Sequence, residues 1–198
     1  MKKLTLLIAG ISLSLNAMDS IGIYYPNTIS SSYDGEFKDE DYDFETSNSG
    51  FGLIFKHAKE EGKTFTESIE YTKEKIENVN VGYEHYSKLS DDVTRINFIF
   101  TIQNDIKSDK DYNIWIAPRF NIAGESYDAD DIKRDGLEIG IAPVVGIDYK
   151  INETVSVGLD VDYQFAYAVG SMELGGEDDS YKETRNRLSS RFYLYYRF

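Results

Sequence analysis

The sequence predicts an all-β protein, a closed antiparallel up-and-down barrel of eight strands that crosses a membrane. Three observations predict it. Apolar and aromatic residues recur at every second position through five segments of roughly 10–15 residues, the length a tilted membrane strand requires. The opposite faces of those segments carry charge. The last seven residues, Phe192-Tyr193-Leu194-Tyr195-Tyr196-Arg197-Phe198, alternate up to the carboxylate, which a frayed end of a soluble domain has little reason to do.

The chain starts with the basic Met1-Lys2-Lys3, then an apolar run from Leu4 to Leu15, then Asn16-Ala17. That run is too short to span a bilayer as a helix and fits the core of a signal peptide. Residues 1–17 are expected to be a signal peptide and 18–198 one barrel domain.

In the N-terminal half, Ser20–Tyr25 and Ser49–Lys59 read as strands, with Phe51, Leu53 and Phe55 outward. Phe65, Ile69 and Tyr71 share one face, as do Val79, Val81 and Tyr83. Counting these as two strands gives nine, whereas single-chain bacterial barrels carry an even number. One strand from about 64 to 88 restores eight, and it points Lys73, Lys75 and Glu77 at lipid unless that portion rises above the bilayer. A further strand within Tyr33–Glu45 gives ten. Eight is the expectation and ten the alternative.

From residue 93 the alternation is unbroken. Ile96, Phe98, Phe100 and Ile102 oppose Arg95, Asn97, Thr101 and Gln103. Tyr112, Ile114, Ile116, Phe120 and Ile122 oppose Asn113, Trp115, Arg119 and Asn121. Leu137 to Tyr149 at odd positions oppose Glu138, Gly140, Ala142, Gly146 and Asp148. Val155 to Tyr167 oppose Ser156, Gly158, Asp160, Asp162 and Gln164, and Leu188 to Phe198 oppose Arg187, Arg191 and Arg197. Folding these polar faces inward places Arg95, Arg119, Arg191 and Arg197 against Glu138, Asp148, Asp160 and Asp162. Buried charges are tolerated only when paired and hydrogen-bonded, so a salt-bridge network filling the lumen is expected. Asn152-Glu153-Thr154 reads as a tight turn, while 124–136, 169–186 and Pro26–Asn48 read as long, acidic extracellular loops.

Composition narrows the function classes. The absence of cysteine removes disulfides, thiolate metal sites and a lipidated N-terminal Cys. The formal charge of −14 becomes −16 without Lys2 and Lys3. Nucleic acid, whose phosphates demand a basic face, is thereby excluded as a partner. The mean hydropathy of −0.45 suits a barrel whose interior and loops are polar.

With its terminal aromatic and apolar residues two, four and six positions earlier, the chain resembles small bacterial outer-membrane β-barrel proteins of the OmpA/OmpX, porin-like type. The resemblance implies residence in the cell outer membrane and contact with its lipid and lipopolysaccharide. It also implies recognition of the strand ending in Phe198 by the barrel assembly machinery. A monomer is expected.

His85-Tyr86-Ser87 resembles the His-x-Ser of outer-membrane lipid A deacylases, and a His base beside a Ser nucleophile is sound acyl-transfer chemistry. That family continues with Asn where this chain has Lys88. Its supporting Glu belongs on the next strand, whose outward positions here are Ile96, Phe98 and Phe100. An interfacial His is the simpler account, and His57 reads the same way. Acidic residues crowd three segments: Asp34, Glu36, Asp39, Glu40, Asp41, Asp43 and Glu45; Asp128, Asp130, Asp131 and Asp135; Glu177, Asp178 and Asp179. They lack EF-hand spacing and read as solvated charge, with divalent-cation binding as the alternative. The expectation is therefore a non-enzymatic barrel with no catalytic, cofactor or metal residues. Its filled lumen and acidic loops would serve envelope integrity, adhesion or surface interaction. Two alternatives remain, a deacylase-like barrel enzyme using His85 and Ser87, and a soluble periplasmic β-sandwich that binds a partner.

Overall fold

Period-two patterning places every large apolar side chain of a strand on one face, and only a closed sheet in lipid can leave such a face uncovered without an edge. The computed structural model describes residues 18–37, 40–60, 62–81, 84–129, 132–174 and 177–198. The expected signal peptide, 1–17, lies outside them. Eight strands run in order: β1 (Ser20–Phe37), β2 (Glu40–Glu60), β3 (Lys63–Val81), β4 (Glu84–Ser108), β5 (Tyr112–Ala129), β6 (Ile132–Lys150), β7 (Val155–Leu174) and β8 (Glu177–Arg197). Each pairs antiparallel with the next, and β1 pairs with β8 from Ser20↔Arg197 to Phe37↔Tyr181, closing the ring. The soluble β-sandwich is thereby overturned, as is the ten-strand alternative.

The outward faces form an apolar belt. Ile23 and Tyr25, Phe51 and Leu53, Ile96 to Ile102, Ile116 to Ile122, Leu137 to Tyr149, Leu159 to Val169 and Phe192 to Phe198 are exposed around the ring. Phe51 is 63% exposed and Ile139 61%, values that water would penalise and lipid would not. No helix among the described residues is long and apolar enough to cross a membrane; the strands do the crossing.

Two expectations about chain layout need correction. The segment 64–88 is not one strand: β3 ends at Val81 and β4 begins at Glu84, continuing through the alternating segment after 93. Lys73 and Lys75 are exposed and lie beyond Tyr71, above the belt, so their charges do not meet lipid. The long loops are also strands. Residues 26–37, 40–48, 124–129, 132–136, 169–174 and 177–186 continue the ladders. Polar outward residues mark only the exit from lipid, and the inward positions keep the chain paired. On β8 the strand runs about ten residues past the belt, or about 25 Å at ~3.3 Å per residue and a ~40° tilt. A collar of paired strands therefore stands above the membrane.

At the other end three short turns connect the strands, two of them at 109–111 and 151–154. In the first, Gly62 takes φ 76°, a conformation only Gly adopts without strain. Asn152 caps the third by accepting from the amides of Thr154 and Val155 at 2.9 and 2.8 Å. Short turns are what outer-membrane barrels carry on their periplasmic side. Inside, large rings lie across glycines of the neighbouring strand. A Cβ at Gly146 would collide with Trp115, and one at Gly52 with Tyr24.

Candidate functional site

The charged inward positions meet in the lumen as one continuous network. Its lower layer joins Arg119 on β5 to Asp160 and Asp162 on β7, with Nε of Arg119 donating to Thr101 at 3.2 Å. Arg191 on β8 pairs with Asp162 and donates to Glu70 on β3 at 3.2 Å, crossing the lumen. The Tyr193 hydroxyl donates to Asp160 and accepts from Arg119 at 3.1 Å.

Asn97 couples the layers: it donates to Glu70 at 2.8 Å and accepts from Arg95 Nε at 2.9 Å. In the upper layer Arg95 reaches Glu74 at 3.3 Å and also Glu138. Glu138 is fully buried and accepts from Arg95, Arg185 and Arg187, as well as Asn121 and Gln164. Arg185 also holds Glu125 and Glu183, and Arg134 joins the same two carboxylates at 2.9 and 2.8 Å. Planar guanidinium forks suit such shared carboxylates better than ammonium groups, because five fixed donors can serve several oxygens at once.

Above the belt the network gives way to rings. Tyr33, Tyr42, Phe44, Ile76, Val93, Tyr127, Ala168 and Tyr181 form a buried cluster inside the collar. The guanidinium of Arg134 lies 4.1 Å from the Tyr181 ring centre, a cation–π contact. Tyr42 donates to Glu183 and Tyr181 to Glu125, at 2.8 and 2.7 Å. Burial pushes the Tyr181 hydroxyl well above its ordinary value, with Arg134 opposing. Burial also works against ionised Glu125, yet Arg185 and Arg134 overcome it and hold the carboxyl well below the usual range. The interior left between the charge layers is a cavity of about 20 Å³, room for about one water.

Of the eight charges expected in the lumen, Arg95, Arg119, Arg191, Glu138, Asp160 and Asp162 meet there. Arg197 does not: it is exposed at the periplasmic mouth, one step beyond the last inward ring, Tyr195. Asp148 pairs instead with Lys56 near that mouth, at 2.7 Å. Glu70, Glu74, Glu125, Arg134, Glu183 and Arg185 were not anticipated. For Glu125, Arg134, Glu183 and Arg185 the signal was continued alternation, Tyr181-Glu183-Arg185-Arg187 and Glu125-Tyr127, within stretches read as loops; Glu70 and Glu74 lie in the segment read as one strand from about 64 to 88.

The side chains of His85 and Ser87 lie outside the described residues; their backbone runs in β4 and His85 opposes Asn80. His57 is buried, with Nε2 3.9 Å from Glu67, and it has no nucleophile beside it among the contacts described. Of the acidic groups, Asp34, Glu36, Asp41, Asp43 and Glu45 are exposed on the β1–β2 face of the collar. Asp39, Asp130 and Asp131 lie outside the described residues. Among the described residues no three His, Cys, Asp or Glu side chains are placed to hold a metal ion.

No protein-family model matches the sequence, and no curated protein does. Among solved structures the chain is similar to the outer membrane protein OprG from Pseudomonas aeruginosa. The two are 14% identical, with a TM-score of 0.70 over 92% of this chain and 97% of that one. Neisserial surface protein A is 12% identical over 86% of this chain and 95% of that one, with a TM-score of 0.40. The first likeness shows the fold, that of an outer-membrane barrel. Together with the lipid-facing belt, it makes this chain a β-barrel protein of the cell outer membrane.

Proposed function

We propose that the protein is a non-enzymatic outer-membrane barrel that is closed to diffusion and acts at the cell surface through its collar. The observation that carries this reading is the ion-pair network, which crosses the lumen and leaves room for about one water. Eight strands enclose only enough space for side chains, and here those side chains are locked to one another. A rigid platform above the membrane then remains as the working part, suited to adhesion, surface interaction or envelope integrity.

Lipid and lipopolysaccharide are the first partners this reading names. Lys73 and Lys75 stand exposed just above Tyr71, at the level where outer-leaflet phosphates lie, and cations there attract anionic headgroups. The acids Asp34, Glu36, Asp41 and Asp43 face outward higher up, clear of those phosphates. We assign the barrel assembly machinery as the partner of β8, whose alternating Phe192, Leu194, Tyr196 and Phe198 supply an apolar edge until β1 closes on it.

Reconstitution into planar bilayers tests the reading. Purified, folded protein is expected to give no stepwise ion conductance at high salt. Reproducible open-channel steps from wild-type protein would replace a closed surface barrel with a pore.

A further inference from the structure

The outward face of β3 breaks the apolar belt at one position. Phe65, Glu67, Ile69 and Tyr71 alternate with Thr66, Ser68, Glu70 and Thr72, which are buried in the lumen. Glu67 therefore faces lipid. Its direct cross-strand partners are Phe55 on β2 and Phe100 on β4, and Phe65 and Ile69 flank it along its own strand. Among the described residues it is the one acid on the outward face of the belt.

The carboxyl is unsatisfied where it stands. Its one ion-pair contact is Nε2 of His57, at 3.9 Å, too long for a hydrogen bond. The His57 side chain is 7% exposed and that of Glu67 30%, so the imidazole is covered and the carboxyl is what a neighbour in the membrane meets. Rings close in on either side of it: His57 lies against Phe65, centres 6.1 Å apart, and Phe65 stacks on Phe100 at 6.5 Å. Hydrocarbon offers no hydrogen bond, and an ionisable group held in it without a partner is costly.

Depth limits what can bring a hydrogen-bonding group to this place. Lipid headgroups lie beyond the two ends of the belt. Phe65 stands between Glu67 and the periplasmic end, and Ile69 and Tyr71 stand between it and the outer one. A second copy of the chain, inserted the same way round, carries the same carboxyl at the same depth. Carboxyls are self-complementary, because a protonated one both donates and accepts. Where lipid is as apolar as the side chains, polar contacts of this kind hold membrane-embedded neighbours together. A two-fold axis along the membrane normal makes the contact isologous, each copy presenting the same patch to the other.

We propose that the β2–β4 wall is the interface of a homodimer in the membrane, with the two Glu67 carboxyls hydrogen-bonded to each other through a shared proton at the two-fold axis. Phe55, Phe65, Ile69 and Phe100 surround the pair and keep water and headgroups from it. The interface rests on the belt alone and stands independently of the collar's surface role.

Energy transfer between labelled copies tests it. Full-length folded protein carrying Ser180→Cys, exposed in the collar, is labelled with a donor or an acceptor dye. The two are reconstituted together into phosphatidylcholine liposomes over a series of lipid-to-protein ratios. Transfer is expected to exceed that of randomly distributed barrels and to fall when unlabelled wild-type protein is added. Glu67→Leu, apolar at a lipid-facing position, is expected to keep heat-modifiable migration and to dimerise at least tenfold more weakly. Glu67→Gln is expected to dimerise as wild type does, since an amide also donates and accepts. With the cysteine placed in the belt instead, oxidation is expected to cross-link Ile69→Cys, beside Glu67, and not Leu159→Cys on β7, across the ring. Random-level transfer for wild type at every ratio means a monomer and overturns the proposal. So do Glu67→Leu dimers as strong as wild type, Glu67→Gln dimers as weak as those of Glu67→Leu, and cross-linking through Leu159→Cys in place of Ile69→Cys.

Discussion

Arg191, on the strand that closes the ring, donates to Glu70 on β3 at 3.2 Å, so these two walls of the lumen touch directly, side chain to side chain. The same guanidinium also pairs with Asp162 on β7. Reversing that charge, Arg191→Glu, sets a carboxylate among Glu70, Asp160 and Asp162 with no bulk water to screen it. Breaking a buried pair typically costs about 3–5 kcal/mol. The variant is expected to unfold at a clearly lower urea midpoint than wild type, read by loss of heat-modifiable migration. An unchanged midpoint would mean that Arg191 does not face a closed interior.

Trp115 is 1% exposed and lies flat across Gly146. Gly146→Val must drive the ring out of its seat, and overpacking of this kind costs roughly 1–3 kcal/mol. The expected outcome is a folded barrel with a shifted Trp115 emission spectrum. A spectrum identical to wild type would show that the ring does not rest there.

The collar is paired strand and not loop, so it should resist proteases where a loop would be cut. Whole cells treated with proteinase K are expected to lose, at most, the hairpin tips. Cuts mapped by mass spectrometry inside 126–128 or 180–186, where backbone groups are held in ladders, would restore the loop description.

Alternation made the barrel legible because it survives in every strand after residue 93. The strand ends were not legible, for a physical reason. Outward residues change from apolar to polar where the chain leaves lipid, as from Val169 to Ser171 and Glu173, and that change looks like the start of a loop. Only the inward set, Tyr181, Glu183, Arg185 and Arg187, keeps the record of pairing. In β3 the outward face holds only Phe65, Ile69 and Tyr71 before Lys73, too few apolar residues to fix a strand boundary at Val81. The lumen charges of the belt were therefore visible, and those of the collar were not.

Glu125 carries a pH dependence. Its carboxyl lies well below the ordinary 4.5 in the folded state because Arg185 and Arg134 outweigh the cost of burial. A depressed folded value stabilises the fold at pH above the unfolded value, and that stabilisation is lost as pH falls through the folded one. Collar amides are therefore expected to keep their hydrogen-exchange protection from neutral pH down to about 4.5 and to lose it progressively below. In Glu125→Gln the acid-side loss should be shallower. A variant with the wild-type profile would remove Glu125 from the linkage.

The absence of cysteine makes each introduced one unique, which permits the most direct test of a sealed barrel in lipid. Spin labels placed singly at Leu159, Val161 and Phe165 on one face, and at Ser189 and Thr101 on the other, are compared in liposomes for collisions with oxygen and with a water-soluble nickel chelate. Oxygen should relax the first set strongly, and the second set should be shielded from both reagents. Nickel relaxation at Ser189 and Thr101 would mean a water-filled lumen, and nickel relaxation at Leu159 and Phe165 would mean that the belt does not lie in lipid.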